Sequence, residues 1–192
     1  MRPFSKGENM ITIIGNSIVN GYPHRRSESF TGILRSEYGF DTVNKGVNGD
    51  TVSGVLERFE KDVVSKKPSS CIILSGTNDF IQGRTAGYVY GMLCEMKAKA
   101  EGIKVYFLTP VLTEPEMAAK LWVPADYKSV NKEMIILADI LREEETAECI
   151  DIQTALLEFG KGKSPEEVYV DGIHPSKEAH RAIAEYIAGR IG

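Results

Sequence analysis

Short apolar runs alternate with helical stripes along the whole chain. Met10 to Ile14 is a nearly unbroken apolar run closed by Gly15, as expected of a strand buried on both faces. Phe40 to Asn44 is a second, weaker candidate strand. Cys71 to Leu74 and Ile103 to Leu108 supply the third and fourth, and Glu148 to Ile152 the fifth. Between them, Val52, Val55, Leu56, Phe59 and Val63 recur at helical spacing and form one apolar stripe. Val130, Met134, Leu137 and Leu141 do the same within Tyr127 to Glu144. Ala179, Ile183, Ile187 and Ile191 line a last helix that Pro175 and Ser176 introduce.

Strand–helix alternation of this kind implies parallel pairing with helices on both sheet faces. The pattern predicts a three-layer α/β/α sandwich of about five parallel strands. The length, 192 residues, fits one domain spanning 1–192. In such sheets ligands bind where the strands end at their carboxyl edge. That rule directs attention to Gly15–Asn20, Lys45–Thr51, Gly76–Asp79 and the chain after Ile152.

Composition narrows the function. A net charge of -4 and a pI near 5.5 argue against nucleic acid as a partner, since phosphate contacts need a basic face. No apolar run approaches the roughly 18 residues that span a bilayer. Met1 to Met10 lacks the apolar core of a secretory leader. Cys71, Cys94 and Cys149 are widely spaced, form no CxxC pair, and read as buried free thiols. Together these features predict a cytoplasmic location.

Chemistry-bearing residues fall at the strand ends. Ser17 follows the first strand within Gly15-Asn16-Ser17, where it could act as a nucleophile or merely cap a turn. A serine hydroxyl needs a base to take its proton, and an imidazole base needs a carboxylate to fix its tautomer. Asp171 and His174, separated by Gly172 and Ile173, can supply both from one tight loop, or can cap the turn before the final helix. No third ligand for a metal is apparent beside them. Asn78, in Gly76-Thr77-Asn78-Asp79, offers an amide donor for a developing oxyanion, or an ordinary Asn-Asp turn. The glycines of Asn44 to Thr51 allow a backbone amide to approach a substrate, and Asp50 or Thr51 would cap the next helix.

Taken together, these blocks resemble the SGNH hydrolases, or GDSL esterases and lipases, across nearly the whole chain. Gly15-Asn16-Ser17 looks like the first block, and Asn44, Gly46, Gly49, Asp50 and Thr51 are similar to the second. Gly76, Asn78 and Asp79 match the third, and Asp171, His174 and Pro175 the last. The resemblance implies a flavodoxin-like fold and hydrolysis of a carboxylic ester through an acyl-enzyme. Within it Ser17 is the nucleophile, His174 the general base and then acid, and Asp171 its carboxylate partner. The Ser17 and Gly49 amides and the Asn78 side chain form the oxyanion hole. No metal or organic cofactor is implied, and the partner is a small-molecule ester. The first block departs from the usual Gly-Asp-Ser, because Asn16 replaces the Asp.

Substrate identity is less constrained. A small acyl group, such as acetate on a sugar, is the first expectation, with a lysophospholipid or thioester as the alternative. A non-catalytic sugar- or phosphate-binding module on the same fold is the rival from another class. Arg25 and Arg26 are candidate contacts for an anionic substrate group, against the plainer reading of two solvated arginines. The long connection Thr109 to Pro124 carries Trp122, the one tryptophan, and is read either as a substrate-contacting lid or as packing over a helix.

Overall fold

The computed structural model describes residues 9–145 and 147–191; the leader reading on Met1 to Met10 falls almost entirely outside them. Five strands, β1 (Ile11–Gly15), β2 (Thr42–Gly46), β3 (Ser70–Leu74), β4 (Lys104–Leu108) and β5 (Glu148–Ile150), form one parallel sheet in the order β2-β1-β3-β4-β5. The connections carry helices α1 (Ser17–Asn20), α2 (Phe30–Ser36), α3 (Val52–Asp62), α4 (Thr77–Ile81) and α5 (Ala86–Lys99). Beyond β4 come α6 (Pro115–Leu121), α7 (Tyr127–Arg142), α8 (Ile152–Gly160), α9 (Pro165–Val168) and α10 (Lys177–Ile191).

Alternate residues of each strand feed two separate cores, since successive side chains leave opposite faces of a sheet. Ile14, Cys71, Ile73, Val105 and Phe107 meet Val55 and Phe59 of α3, Leu93 and Met96 of α5, and Met134 and Leu137 of α7. On the other face, Ile13, Ile72, Leu74 and Leu108 meet Phe30 and Leu34 of α2, Leu156 of α8, and Ile183 and Ile187 of α10. This is the expected three-layer arrangement. The connections after β1 and β3 turn to opposite faces, so a crevice opens between their carboxyl ends.

Local details depart from the pattern where side-chain chemistry intervenes. The second strand starts at Thr42, because Phe40 turns into the α2–α10 core and the Thr42 hydroxyl donates to Thr31 O at 2.9 Å. The fifth strand stops at Ile150, since Asp151 caps α8 by accepting from the Thr154 amide at 3.1 Å. Thr51 rather than Asp50 caps α3, accepting from Gly54 N at 3.4 Å. The stretch 109–124 folds a helix of its own, α6, with Pro115 at its start and Glu114 accepting from Met117 N at 2.6 Å. Helices α2 and α5 complete the alternation in stretches that the stripes above do not cover. Cys71, Cys94 and Cys149 are free. No helix among the described residues is long and apolar enough to cross a membrane.

Candidate active site

Ser17 opens α1 immediately after the buried strand β1. Asn16 caps that helix, its Oδ1 accepting from Ile18 N at 3.0 Å. The capping role explains why Asn serves where Asp is usual: an amide oxygen accepts as a carboxylate oxygen does, although it carries no charge. The Asn16 Nδ2 is buried and finds no partner among the described residues. As the first helical residue, Ser17 directs its own N–H out of the helix with no intrahelical acceptor.

A second tight turn brings the other groups to Ser17. Asp171 Oδ1 accepts from Ile173 N at 3.0 Å and His174 N at 2.8 Å, folding the Asp171–His174 turn around the carboxylate. The other oxygen, Oδ2, lies 2.8 Å from His174 Nδ1. A carboxylate only accepts, so Nδ1 carries the proton and Nε2 is left as an acceptor. His174 Nε2 stands 2.9 Å from Ser17 Oγ, across 157 positions of sequence. Burial pushes the Asp171 carboxyl up, but the hydrogen bonds from the His174 ring and amide outweigh it and hold the group below its ordinary value. The carboxylate therefore stays charged beside the imidazole at neutral pH. Such a line can draw a proton from the hydroxyl and stabilise the imidazolium that forms.

The turn is braced from outside. Val170 N donates to His174 O at 2.9 Å, and Tyr169 and Pro175 form a short antiparallel bridge. His24 Nε2 donates to Pro175 O at 3.2 Å, tying the loop after α1 to the residue next to His174.

Gly49 and Asn78 line the same cleft as Ser17 and His174, which encloses about 410 Å³. Gly49 has φ 76°, a conformation that favours glycine. Asn78 Nδ2 donates one hydrogen to Asp50 O at 2.8 Å, which fixes the amide and leaves its second hydrogen available. Ile81, Val123, Tyr127 and Ile173 make the remaining walls largely apolar. Tyr22 and Trp122 flank the His174 ring, with centroids 4.8 and 5.4 Å away.

The structure thus brings Ser17, Gly49, Asn78, Trp122, Asp171 and His174 to one rim. Arg25 and Arg26 are not brought there. Both are exposed outside the cleft lining, and Arg26 is spent on Asn20 Oδ1 at 2.8 Å and Gly46 O at 3.4 Å. The cleft lining holds no lysine or arginine, so it offers no cation of its own to an anionic substrate group. Sequence reasoning missed Arg58, gave no role of their own to Tyr22 and His24, and counted Asp79 only as a member of the third block. Asp79 is almost fully buried and accepts from Val52 N at 2.9 Å, joining α4 to the start of α3. Burial pushes its carboxyl up. Arg58 carried one signal: it follows Gly54 by four residues, on the same helix face.

That fold with that site defines a class, the three-layer α/β/α hydrolases. The chain belongs to the GDSL-like lipase/acylhydrolase family, whose model matches residues 13–182, and with it to the carboxylic ester hydrolases. It is 28% identical to an acetylxylan esterase of Geobacillus stearothermophilus over 84% of this chain and 78% of that protein. It is 25% identical to esterase TesA of Pseudomonas aeruginosa over 92% of this chain and 85% of that one. A G-D-S-L lipolytic protein of Veillonella parvula shares the fold, with a TM-score of 0.79 at 22% identity, over 95% and 97% of the two chains. Family membership sets aside the reading of a non-catalytic binding module.

Proposed function

We propose that this enzyme removes small acyl groups from a ring-bearing alcohol, such as a sugar O-acetyl ester, through an acyl-enzyme on Ser17. His174 Nε2 takes the Ser17 proton as Oγ attacks the carbonyl carbon. The carbonyl oxygen becomes an oxyanion that accepts from Ser17 N–H, Gly49 N–H and the free Asn78 hydrogen. Collapse breaks the bond to the alcohol, which leaves with the proton from His174. Water then repeats both steps on the acyl group and restores the serine. Asp171 keeps the ring oriented and balances its transient charge.

One observation carries the reading: the hydrogen-bonded line Ser17–His174–Asp171 at the head of a largely apolar cleft. The alcohol departs beside His174, where Tyr22 and Trp122 offer aromatic faces of the kind that pack on rings. The acetylxylan esterase relative supports the same choice. A second reading, longer acyl chains, is favoured by the exposed Leu121 and Val123 on either side of Trp122, which extend the apolar surface outward. The three free thiols support placing the enzyme in a reducing compartment such as the cytoplasm.

A fluorophosphonate probe tests the chemistry. Wild type is labelled and Ser17→Ala is not, with turnover of p-nitrophenyl acetate lower by at least about four orders of magnitude. Unlabelled wild type without turnover overturns the proposal. Acetylated xylo-oligosaccharides against octanoyl esters then separate the two substrate readings.

A further inference from the structure

Three chain segments must meet at one place for the proposed oxyanion hole to exist: the β1–α1 junction, the loop after β2, and the start of α4 just after β3. Each carries one donor, and no two donors are neighbours in sequence. A single side chain outside the cleft lining touches two of these segments directly and the third at one remove.

Arg58 lies on α3 with its side chain 18% exposed. Its Nη2 donates to Gly15 O at 3.0 Å, two residues before Ser17. Its Nε donates to Asp50 Oδ2 at 2.8 Å, next to Gly49, and its Nη1 to Asp62 Oδ2 at 3.0 Å. The carbonyl of the same Asp50 accepts from Asn78 Nδ2 at 2.8 Å. Gly15 O also accepts from Val47 N at 3.0 Å, so the last carbonyl of β1 receives one donor from the β2 loop and one from the guanidinium.

The surroundings are shaped for these contacts. A Cβ on Gly54 would stand 2.0 Å from Asp50 Oδ1, so glycine there is what lets the Asp50 carboxylate lie against α3 within reach of Arg58. A Cβ on Gly15 would stand 2.0 Å from Leu74 O, which seats the end of β1 tightly against β3. Lys45 holds the far end of the network through Asp62 at 3.0 Å. Only a planar fork with fixed donor directions serves a carbonyl and two carboxylates at once; an ammonium on a flexible stem does not.

We propose that Arg58 is a positioning residue that sets the three oxyanion donors relative to one another, without touching substrate. This role rests on the esterase reading above. It differs from a purely stabilising ion pair in where a loss is felt. Slack between Gly15 and Asp50 displaces the Ser17 and Gly49 amides and the Asn78 amide together. Displacement of about 1 Å costs on the order of a hundredfold in rate when donors are aimed at a transition state.

The test is a double-mutant cycle on p-nitrophenyl acetate turnover, run below the melting midpoints of every variant. Arg58→Met lowers kcat about 10- to 100-fold with KM within about twofold, and Arg58→Lys recovers part of the loss. Asn78→Ala costs about 100-fold in kcat in wild type but less than about tenfold in Arg58→Met, because the donor it removes is already misplaced. Additive losses, or an unchanged kcat in folded Arg58→Met, overturn the role while wild-type labelling keeps the esterase reading intact. Absence of labelling in wild type overturns both. Should Arg58→Met fail to fold, Gly54→Ala displaces the Asp50 carboxylate and leaves the guanidinium in place. The same kcat-specific loss is expected there, and a full kcat in that variant overturns the role.

Discussion

Glu114 N donates to Gly172 O at 2.7 Å, which ties the segment bearing Trp122 to the turn bearing Asp171 and His174. The contact makes α6 a support for the active-site turn as well as part of the cleft wall. Gly172 has φ 84°, and a Cβ there would lie 2.4 Å from the backbone N of Ala118. Gly172→Ala is therefore strained in its own backbone and against α6 at the same time. We expect a stability loss of about 2 kcal/mol by chemical denaturation and a fall of about tenfold in kcat. A variant with wild-type stability and turnover would show that the two segments are not coupled.

Asn78 offers the most direct check on the oxyanion hole. Its amide is held by Asp50 O and lines the cleft with Ser17. Asn78→Ala should lower kcat by about 100- to 1000-fold with little change in KM, since the lost hydrogen bond matters most in the transition state. Steady-state kinetics decide the matter. A loss seen mainly in KM would place Asn78 in ground-state binding instead.

Trp122 is 38% exposed and contacts both the His174 ring and Tyr22, with the Tyr22 centroid 6.4 Å away. Its removal should weaken binding of the alcohol portion more than it disturbs the fold. Trp122→Ala is expected to raise KM for a sugar acetate about fivefold, with kcat within about twofold. An equal effect on ethyl acetate, which has no ring, would refute an aromatic subsite.

His180 gives the protein a specific acid sensitivity. It is fully buried, stacks on Phe30, and accepts from Phe30 N at 3.3 Å, while its Nε2 finds no partner among the described residues. Burial, then the neighbouring charges of His24 and His174, push its imidazole down to about 3. In the unfolded chain the ring titrates near about 6.5. A folded-state pKa below the unfolded value means that the stability is present above pH ~6.5 and is lost as pH falls toward the folded pKa. One proton taken up only by the unfolded state costs about 1.4 kcal/mol per pH unit, or about 2 kcal/mol between pH 6.5 and 5. His180→Gln, which keeps an acceptor for Phe30 N, should flatten this part of the stability profile. An unchanged acid slope in urea melts would rule the assignment out.

The strands and site blocks were legible along the chain because their signals are local. Apolar runs of strand length marked β1, β3 and β4, and the Asp171–His174 turn announces itself as a carboxylate and imidazole within one loop. Boundaries were less legible. Phe40 reads as strand until α2 and α10 are in place to receive its ring, and Asp151 reads as strand end until Thr154 needs a cap. The helix within 109–124 was missed because Leu121, Trp122 and Val123 leave no clean stripe. It is the Glu114 cap and the packing of Ala118 against Gly172 that hold α6 in place.

For the site, sequence alone determined which chemical groups are present and where three of them stand: Ser17 after β1, Gly49 after β2 and Asn78 after β3, with Asp171 and His174 in the turn before the last helix. Parallel pairing then dictates that all strand ends share one rim. Only the tertiary structure decided which neighbours reach that rim. It left Arg25 and Arg26 outside, brought Tyr22 and Trp122 against His174, and turned Arg58 toward Gly15 and Asp50. The reason is physical. A strand end is addressed by chain order and sheet topology, whereas a long side chain on a loop or helix goes where hydrogen-bond partners from distant segments await it.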